Sequence, residues 1–103
     1  MTPEYLKKQP WEDLDCSLNL SATLASGDSV SNATVAVYDA NGNDVSADMK
    51  SSDPTVSNNV IYFKIRSGIH DNHYWAEIRA TTANGVKIEE DLKIIVSDKR
   101  LEA

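Results

Sequence analysis

The sequence has few cysteines, which form covalent cross-links, and fewer basic than acidic residues. Its single cysteine, Cys16, cannot form a disulfide within the chain. Lys and Arg number 10 against 16 Asp and Glu, and the net charge of −6 argues against nucleic-acid binding, which needs a basic face. No apolar run is long enough to span a bilayer. We therefore expect neither a nucleic-acid partner nor a membrane partner.

A secretory signal is also missing, since the first residues carry neither a basic nor an apolar segment of that kind. With one unpaired cysteine, this favours synthesis and folding in a reducing bacterial cytoplasm. A chain of 103 residues fits one domain. Its patterns predict an extended N-terminal arm over 1–13, a β-sandwich over 14–98 and a C-terminal tail over 99–103.

Apolar residues alternate with polar ones along most of the chain, which is the pattern of half-buried strands. The alternating runs are Leu14 to Leu20, Ala33 to Val37, Ile61 to Ile65, Tyr74 to Ala80 and Ile88 to Val96. A further short strand is predicted near Val45, reaching to Met49. Turn residues separate these runs, and no helical period competes. The pattern predicts an all-β fold, an immunoglobulin-like antiparallel β-sandwich of about seven strands.

The turn between the last two strands follows from how those strands face each other. A two-residue loop would set apolar Ala80 against charged Glu89. A three-residue loop at 83–85 instead sets Ala80 against apolar Ile88. We therefore predict the longer turn, in which Asn84 lies in the loop and Gly85 adopts the left-handed conformation of a bulge.

The same register predicts which aromatic side chains face outward. It sets Trp75 beside Lys93 on the outer face of the sheet. Exposed Trp and Tyr are enriched in protein interfaces, so we treat Trp75, Lys93, Tyr62 and Trp11 as candidate interface residues, with Tyr38 a weaker one. The alternative is that another part of the chain, such as Trp11, covers Trp75.

Two residues of the last hairpin have predicted structural consequences. Tyr74 precedes the small core residue Ala76 by two positions, as in a tyrosine corner, whose hydroxyl bonds to backbone upstream. Glu90 falls on the inner face opposite Ile78. We expect this charged residue at a sheet rim or at a local bulge.

No catalytic or metal site can be assigned from the residues. His70 and His73 lie on a polar loop that fixes no ligand geometry, so a solvated loop is preferred over a metal site. The range 39–43 is similar to the start of a calcium loop, but Lys50 stands where a bidentate Glu is needed. Cys16 belongs to an alternating apolar set, which predicts a buried, inert thiol. We expect no catalytic residues, no cofactor and no metal.

Several segments share the features of one family. They are Lys8 to Glu12 with its proline, Asp15 to Leu20 followed by Gly27, Val35 to Asp39 followed by Gly42, Gly68 to Tyr74, and Thr81 to Val96. Together these segments resemble the small immunoglobulin-like structural proteins of tailed phages and prophages, of the fibre-tail adaptor type. The sequence departs from that family's pattern where Gly68 stands alone in place of a glycine pair.

The resemblance implies a non-enzymatic virion protein that acts through contacts with portal, tail or fibre proteins, or with copies of itself, in tail or head–tail assembly. The resemblance suggests that unpaired edge strands and the N-terminal arm make these contacts. From the residues alone a second function stays open, a ligand- or carbohydrate-binding immunoglobulin-like domain of a bacterial surface or secreted protein.

Overall fold

The computed structural model describes residues 5–101. Within them the strands are β1 Tyr5–Lys8, β2 Leu14–Asn19, β3 Val30–Asp39, β4 Thr55–Ser57, β5 Val60–Ile65, β6 Asn72–Thr82 and β7 Lys87–Val96. The helical elements in this part of the chain are a single turn, α1 Ser46–Met49, and a 3₁₀ turn at Lys99–Leu101. The predicted all-β sandwich is confirmed.

The strands form two sheets. One has four strands in the order β1-β7-β6-β3, and the other has three in the order β2-β5-β4. All paired strands are antiparallel except β1 and β7, which are parallel. The sequence predicted antiparallel pairing throughout. The first strand of this parallel pair, β1, lies in the range 1–13, which the sequence predicts as an extended arm. Residues 1–4 of that range lie outside the described residues.

One core fills the space between the sheets. It is made by alternate residues of the strands, together with residues from the adjoining loop and from α1. The buried apolar residues are Leu18, Leu20, Val35, Val37, Met49, Ile61, Phe63, Ile65, Tyr74, Ala76, Ile78, Ala80, Leu92, Ile94 and Val96. Removing such side chains from water is the main force that holds the two sheets together.

The hairpin of β6 and β7 has the predicted register. Trp75 lies opposite Lys93. The N–H of Thr82 donates to the carbonyl of Val86 at 2.9 Å, and the N–H of Gly85 donates to the carbonyl of Thr82 at 3.0 Å. Gly85 has a φ of 83°. The three-residue turn and the left-handed glycine are therefore confirmed.

Tyr74 and Glu90 are the two residues of this hairpin with predicted structural consequences. The N–H of Ile69 donates to the hydroxyl of Tyr74 at 3.1 Å, so the hydroxyl bonds to backbone upstream as predicted. Glu90 lies opposite Ile78 without a shift in register. It is half-buried, toward the less buried end of β7, so it occupies a rim position and not a bulge.

The strand predicted from Val45 toward Met49 is wrong. The range 46–49 is one turn of helix, in which the N–H of Met49 donates to the carbonyl of Val45 at 3.1 Å. A helix places these two residues on the same face, because they are four positions apart. Met49 is thereby buried in the core. Arg66 donates to two carbonyl oxygens at the end of this turn, at 3.0 and 3.2 Å.

Candidate interaction surface

A row of side chains crosses the outer face of the four-stranded sheet. Lys93 on β7 lies opposite both Tyr5 on β1 and Trp75 on β6. Tyr38 on β3 lies on the other side of Trp75. Tyr5 is 55% exposed and Trp75 is 43% exposed. We call these four residues the aromatic row.

Lys93 makes a cation–π contact with the exposed ring of Trp75. Its Nζ lies 5.8 Å from the centroid of the Trp75 ring. A cation over an exposed aromatic face contributes about 0.5–1 kcal/mol. Trp11 does not cover this ring, because Trp11 is itself 94% exposed. The predicted outward placement of Trp75 is confirmed, whereas its role in an interface stays a prediction.

Trp11 stands on a hydrogen-bonded turn between β1 and β2. The N–H of Gln9 donates to Oε1 of Glu12 at 2.7 Å, and the N–H of Glu12 donates back to the carbonyl of Gln9 at 3.1 Å. The N–H of Lys99 donates to Oε1 of Gln9 at 3.3 Å, which ties the turn to the last described residues. The indole is therefore presented to solvent from a turn that is held at both ends.

Tyr62 lies apart from the aromatic row. It is 47% exposed and belongs to β5, on the outer face of the three-stranded sheet. The structure thus brings Trp75 and Lys93 together but leaves Tyr62 and Trp11 at separate places. Sequence reasoning missed Tyr5, because no local pattern shows that β1 pairs with β7.

An acidic cluster adjoins the aromatic row on β6 and β7. Arg79 Nε lies 3.0 Å from Oε1 of Glu77 and 2.8 Å from Oε1 of Glu89. Partial removal from water, followed by repulsion from Glu89 and Glu90, raises the pKa of Asp91, although this residue stays exposed on β7. Oxygen atoms of Glu77, Glu89 and Asp91 lie within 4.8 Å of one another. Since Arg79 already engages two of these carboxylates, we interpret the cluster as an ion-pair network.

The motifs considered for metal binding have local roles. His70 is half-buried, and its Nδ1 accepts a hydrogen bond from the N–H of Asp98 at 2.8 Å. His73 is exposed on β6. Asp39 closes its own turn by accepting from the N–H of Asn43 at 2.9 Å, and this bond is the main cause of the lowered pKa of Asp39. A carboxylate that caps its own turn is typical of plain turns.

Cys16 is half-buried on β2, where the sequence predicted a buried residue. Burial, followed by the charge of Asp15, raises its pKa to about 11. The thiol is therefore protonated at neutral pH, which agrees with an inert cysteine.

The fold and this surface define an all-β protein in which four of the seven exposed large hydrophobic residues among positions 5–101 are aromatic. None of the helices in that range is long and apolar enough to cross a membrane. Over residues 8–95 the chain matches the family Gp77, described as podophage GP4 fiber-tail adaptor protein gp77, and it belongs to that family. The resemblance to fibre-tail adaptor proteins is confirmed. No match to a curated protein was found.

Proposed function

We propose that this chain is a non-enzymatic adaptor module of a phage or prophage virion, made in the bacterial cytoplasm, which acts through protein–protein contacts in tail or head–tail assembly. Membership of a family of phage tail adaptors supports this role. The proposed partners are portal, tail or fibre proteins, or a further copy of the chain. The observation that carries the mode of contact is the aromatic row on the outer face of the four-stranded sheet.

The aromatic row has the physical properties of an interface centre. Nearly half of the Trp75 surface is still open to solvent, as is more than half of Tyr5. Aromatic side chains lose little conformational entropy on binding, and truncating one at the centre of an interface often costs about 2 kcal/mol or more. The adjoining cluster of Glu77, Glu89 and Asp91 supplies a charged border, which favours partners with basic residues at the matching positions.

Trp11 and Tyr62 support a module that touches more than one neighbour. Each is exposed and each lies away from the aromatic row. An adaptor joins two other components and so needs at least two contact surfaces. We propose the aromatic row as the first of these surfaces and the turn that carries Trp11 as the second. Tyr62, on the outer face of the three-stranded sheet, is a further candidate contact residue.

The test is the substitution Trp75→Ala, made in the phage genome and in the purified protein. We expect the number of copies in purified particles, counted by quantitative mass spectrometry, to fall at least about tenfold. The free energy of unfolding should fall by less than about 1.5 kcal/mol, because a surface aromatic leaves no core cavity. Val86→Ala is the matched control, since Val86 is 50% exposed but lies at the far hairpin turn.

Unchanged incorporation of Trp75→Ala would overturn the role of the aromatic row. A loss of about 3–5 kcal/mol in stability would instead mark Trp75 as a core residue. Glycan binding by the wild-type chain that is abolished by Trp75→Ala would favour the ligand-binding alternative.

A further inference from the structure

β7 is longer than β1, the strand that pairs with it on the side away from β6. β1 pairs only with the range 93–96 of β7. Among residues 5–101, no strand lies beside the range 87–92 on the side away from β6. More than half of β7 is therefore an open sheet edge in the part of the chain that the structure describes.

Hydrogen bonds at the end of β7 show which of its residues face that edge. The carbonyl of Val96 accepts from the N–H of Asp71 at 2.9 Å on the β6 side, whereas the N–H of Ser97 donates to the carbonyl of Lys8 at 2.8 Å on the β1 side. Backbone groups alternate along a strand, and the register between β6 and β7 has no shift. The residues that turn their N–H and C=O groups to the open edge are therefore Lys87, Glu89 and Asp91.

An apolar groove opens between the two sheets beneath this edge. Its volume is about 210 Å³, and its lining includes Leu6 and Leu92 from one sheet and Cys16, Leu18 and Phe63 from the other. Successive side chains of a strand point to opposite faces. An extended segment laid along β7 would thus direct every second side chain into the groove and the others to solvent.

Carboxylates lie at the borders of the groove, and two of them form ion pairs, Glu89 with Arg79 and Asp15 with Lys64. Glu89 and Asp91 are exposed on β7, and the side chain of Asp15, which also lines the groove, is 88% exposed on the β2 side. Charged residues on an open edge discourage pairing with strands of like charge. They favour a segment whose outward side chains are basic.

We propose that the open edge of β7 and the groove beneath it bind an extended segment of a partner protein in which apolar and basic residues alternate. The segment adds a strand beside the range 87–92, as in other cases of strand addition to a sheet edge. Its backbone pairs with Glu89 and Asp91, and its apolar side chains fill the groove near Leu18 and Leu92. The assignment of this segment to a virion protein rests on the proposed adaptor function.

The test uses the full chain and a synthetic seven-residue peptide of alternating lysine and valine with blocked ends. Amide hydrogen exchange is followed residue by residue by NMR. We expect the peptide to slow exchange at least about tenfold at the amides of Glu89 and Asp91, which face the open edge. The amides of Ile88 and Glu90 face β6 and should not change. A peptide of the same composition, with lysines and valines in separate blocks, should leave all four amides unchanged.

A pair of charge reversals tests the electrostatic part of the site. Asp91→Lys should weaken binding of the alternating peptide at least about tenfold at low ionic strength. Asp53→Lys makes the same change in net charge on a side chain that is 97% exposed in a different loop, and should weaken binding less than about twofold. Alkylation of Cys16 should slow when the groove is filled.

Three results would overturn this site. They are equal protection of odd and even residues of β7, equal effects of the two peptides, and equal effects of the two charge reversals. Since the peptide is tested on the isolated chain, these results are independent of how Trp75→Ala affects incorporation into particles. A result that overturns the binding site on β7 can therefore be distinguished from one that overturns the adaptor function.

Discussion

Gly68 lies so close to Val96 that a Cβ atom at position 68 would stand 2.6 Å from Val96 Cγ2. The same atom would lie 3.2 Å from Cε of Met49. Gly68 also has a φ of 100°, which side chains rarely permit. The loop before β6 thus crosses the end of the core at a distance that only glycine allows.

We expect Gly68→Ala to lower the free energy of unfolding by about 2–4 kcal/mol, because backbone strain and crowding of the core add together. Urea denaturation measures this loss. Gly42→Ala is the matched control, since Gly42 has a φ of 85° with no atom within 4 Å of the added methyl group. Its expected loss is about 1 kcal/mol. Equal losses for the two variants would show that contact with Val96 plays no part.

Tyr74→Phe should lower the free energy of unfolding by about 1–2 kcal/mol, because it removes the acceptor of the Ile69 N–H. The Tyr74 ring is buried and keeps its packing in the variant. Exchange of the Ile69 amide should become faster in the same variant. Tyr62→Phe should leave stability unchanged, since Tyr62 is exposed and its hydroxyl makes no hydrogen bond with any other residue of the range 5–101. Unchanged exchange at Ile69 would count against the bond.

The stability contributed by Asp28 should depend on pH. Asp28 is buried and accepts hydrogen bonds from the N–H groups of Ser29 at 2.8 Å and Asn84 at 3.1 Å. A hydrogen bond from the Thr82 side chain, followed by these backbone bonds, lowers its pKa below the ordinary value of 3.8. The stabilisation is therefore complete above pH 3.8 and is lost as pH falls through the folded-state pKa.

Asp28→Asn should accordingly be less stable than the wild type at pH 7, and the difference should shrink as pH falls below 3.8. Urea denaturation at pH 7 and at pH 3 measures both differences. Asp53→Asn should show little difference at either pH, because the Asp53 side chain is 97% exposed. A difference for Asp28→Asn that does not change with pH would contradict the role of its charge.

Cys16 should react with iodoacetamide at pH 8 about 100-fold more slowly in the folded protein than in urea, because its pKa is raised from 9.0 to about 11 and only the thiolate reacts. The rate in the folded protein should still rise about tenfold per pH unit between pH 9 and pH 10. Levelling of that rate near pH 9 would mean that the folded environment leaves the thiol unperturbed.

The hairpin of β6 and β7 could be predicted from sequence because its two strands are neighbours in the chain. Alternation on both sides of one turn leaves few registers, and only one pairs apolar residues at the inner positions, with Glu90 opposite Ile78 as its one exception. The outward position of Trp75 followed from that register. The turn at Gly85 followed from it as well.

Other parts of the fold depend on contacts that no local pattern reveals. β1 lies at one end of the chain and β7 at the other, so the place of Tyr5 in the aromatic row could not be predicted. Lys8 is 1% exposed, although lysine is rarely buried, because its Nζ donates to the carbonyls of Gln9 and Ser67. Burial lowers the pKa of Lys8. Strand β4 spans three residues, which is too short to show a period.

The parallel pairing of β1 with β7 decides how the domain carries mechanical load. The chain enters this pair at Tyr5 and leaves it at Val96, at opposite ends of the same two strands. A pull that separates these residues along the strand axis shears the hydrogen bonds between β1 and β7 all at once. A hairpin pulled at its open end would instead release its bonds one after another. With Lys8 anchored at the end of β1, this short pair of strands acts as a clamp against tension along the chain.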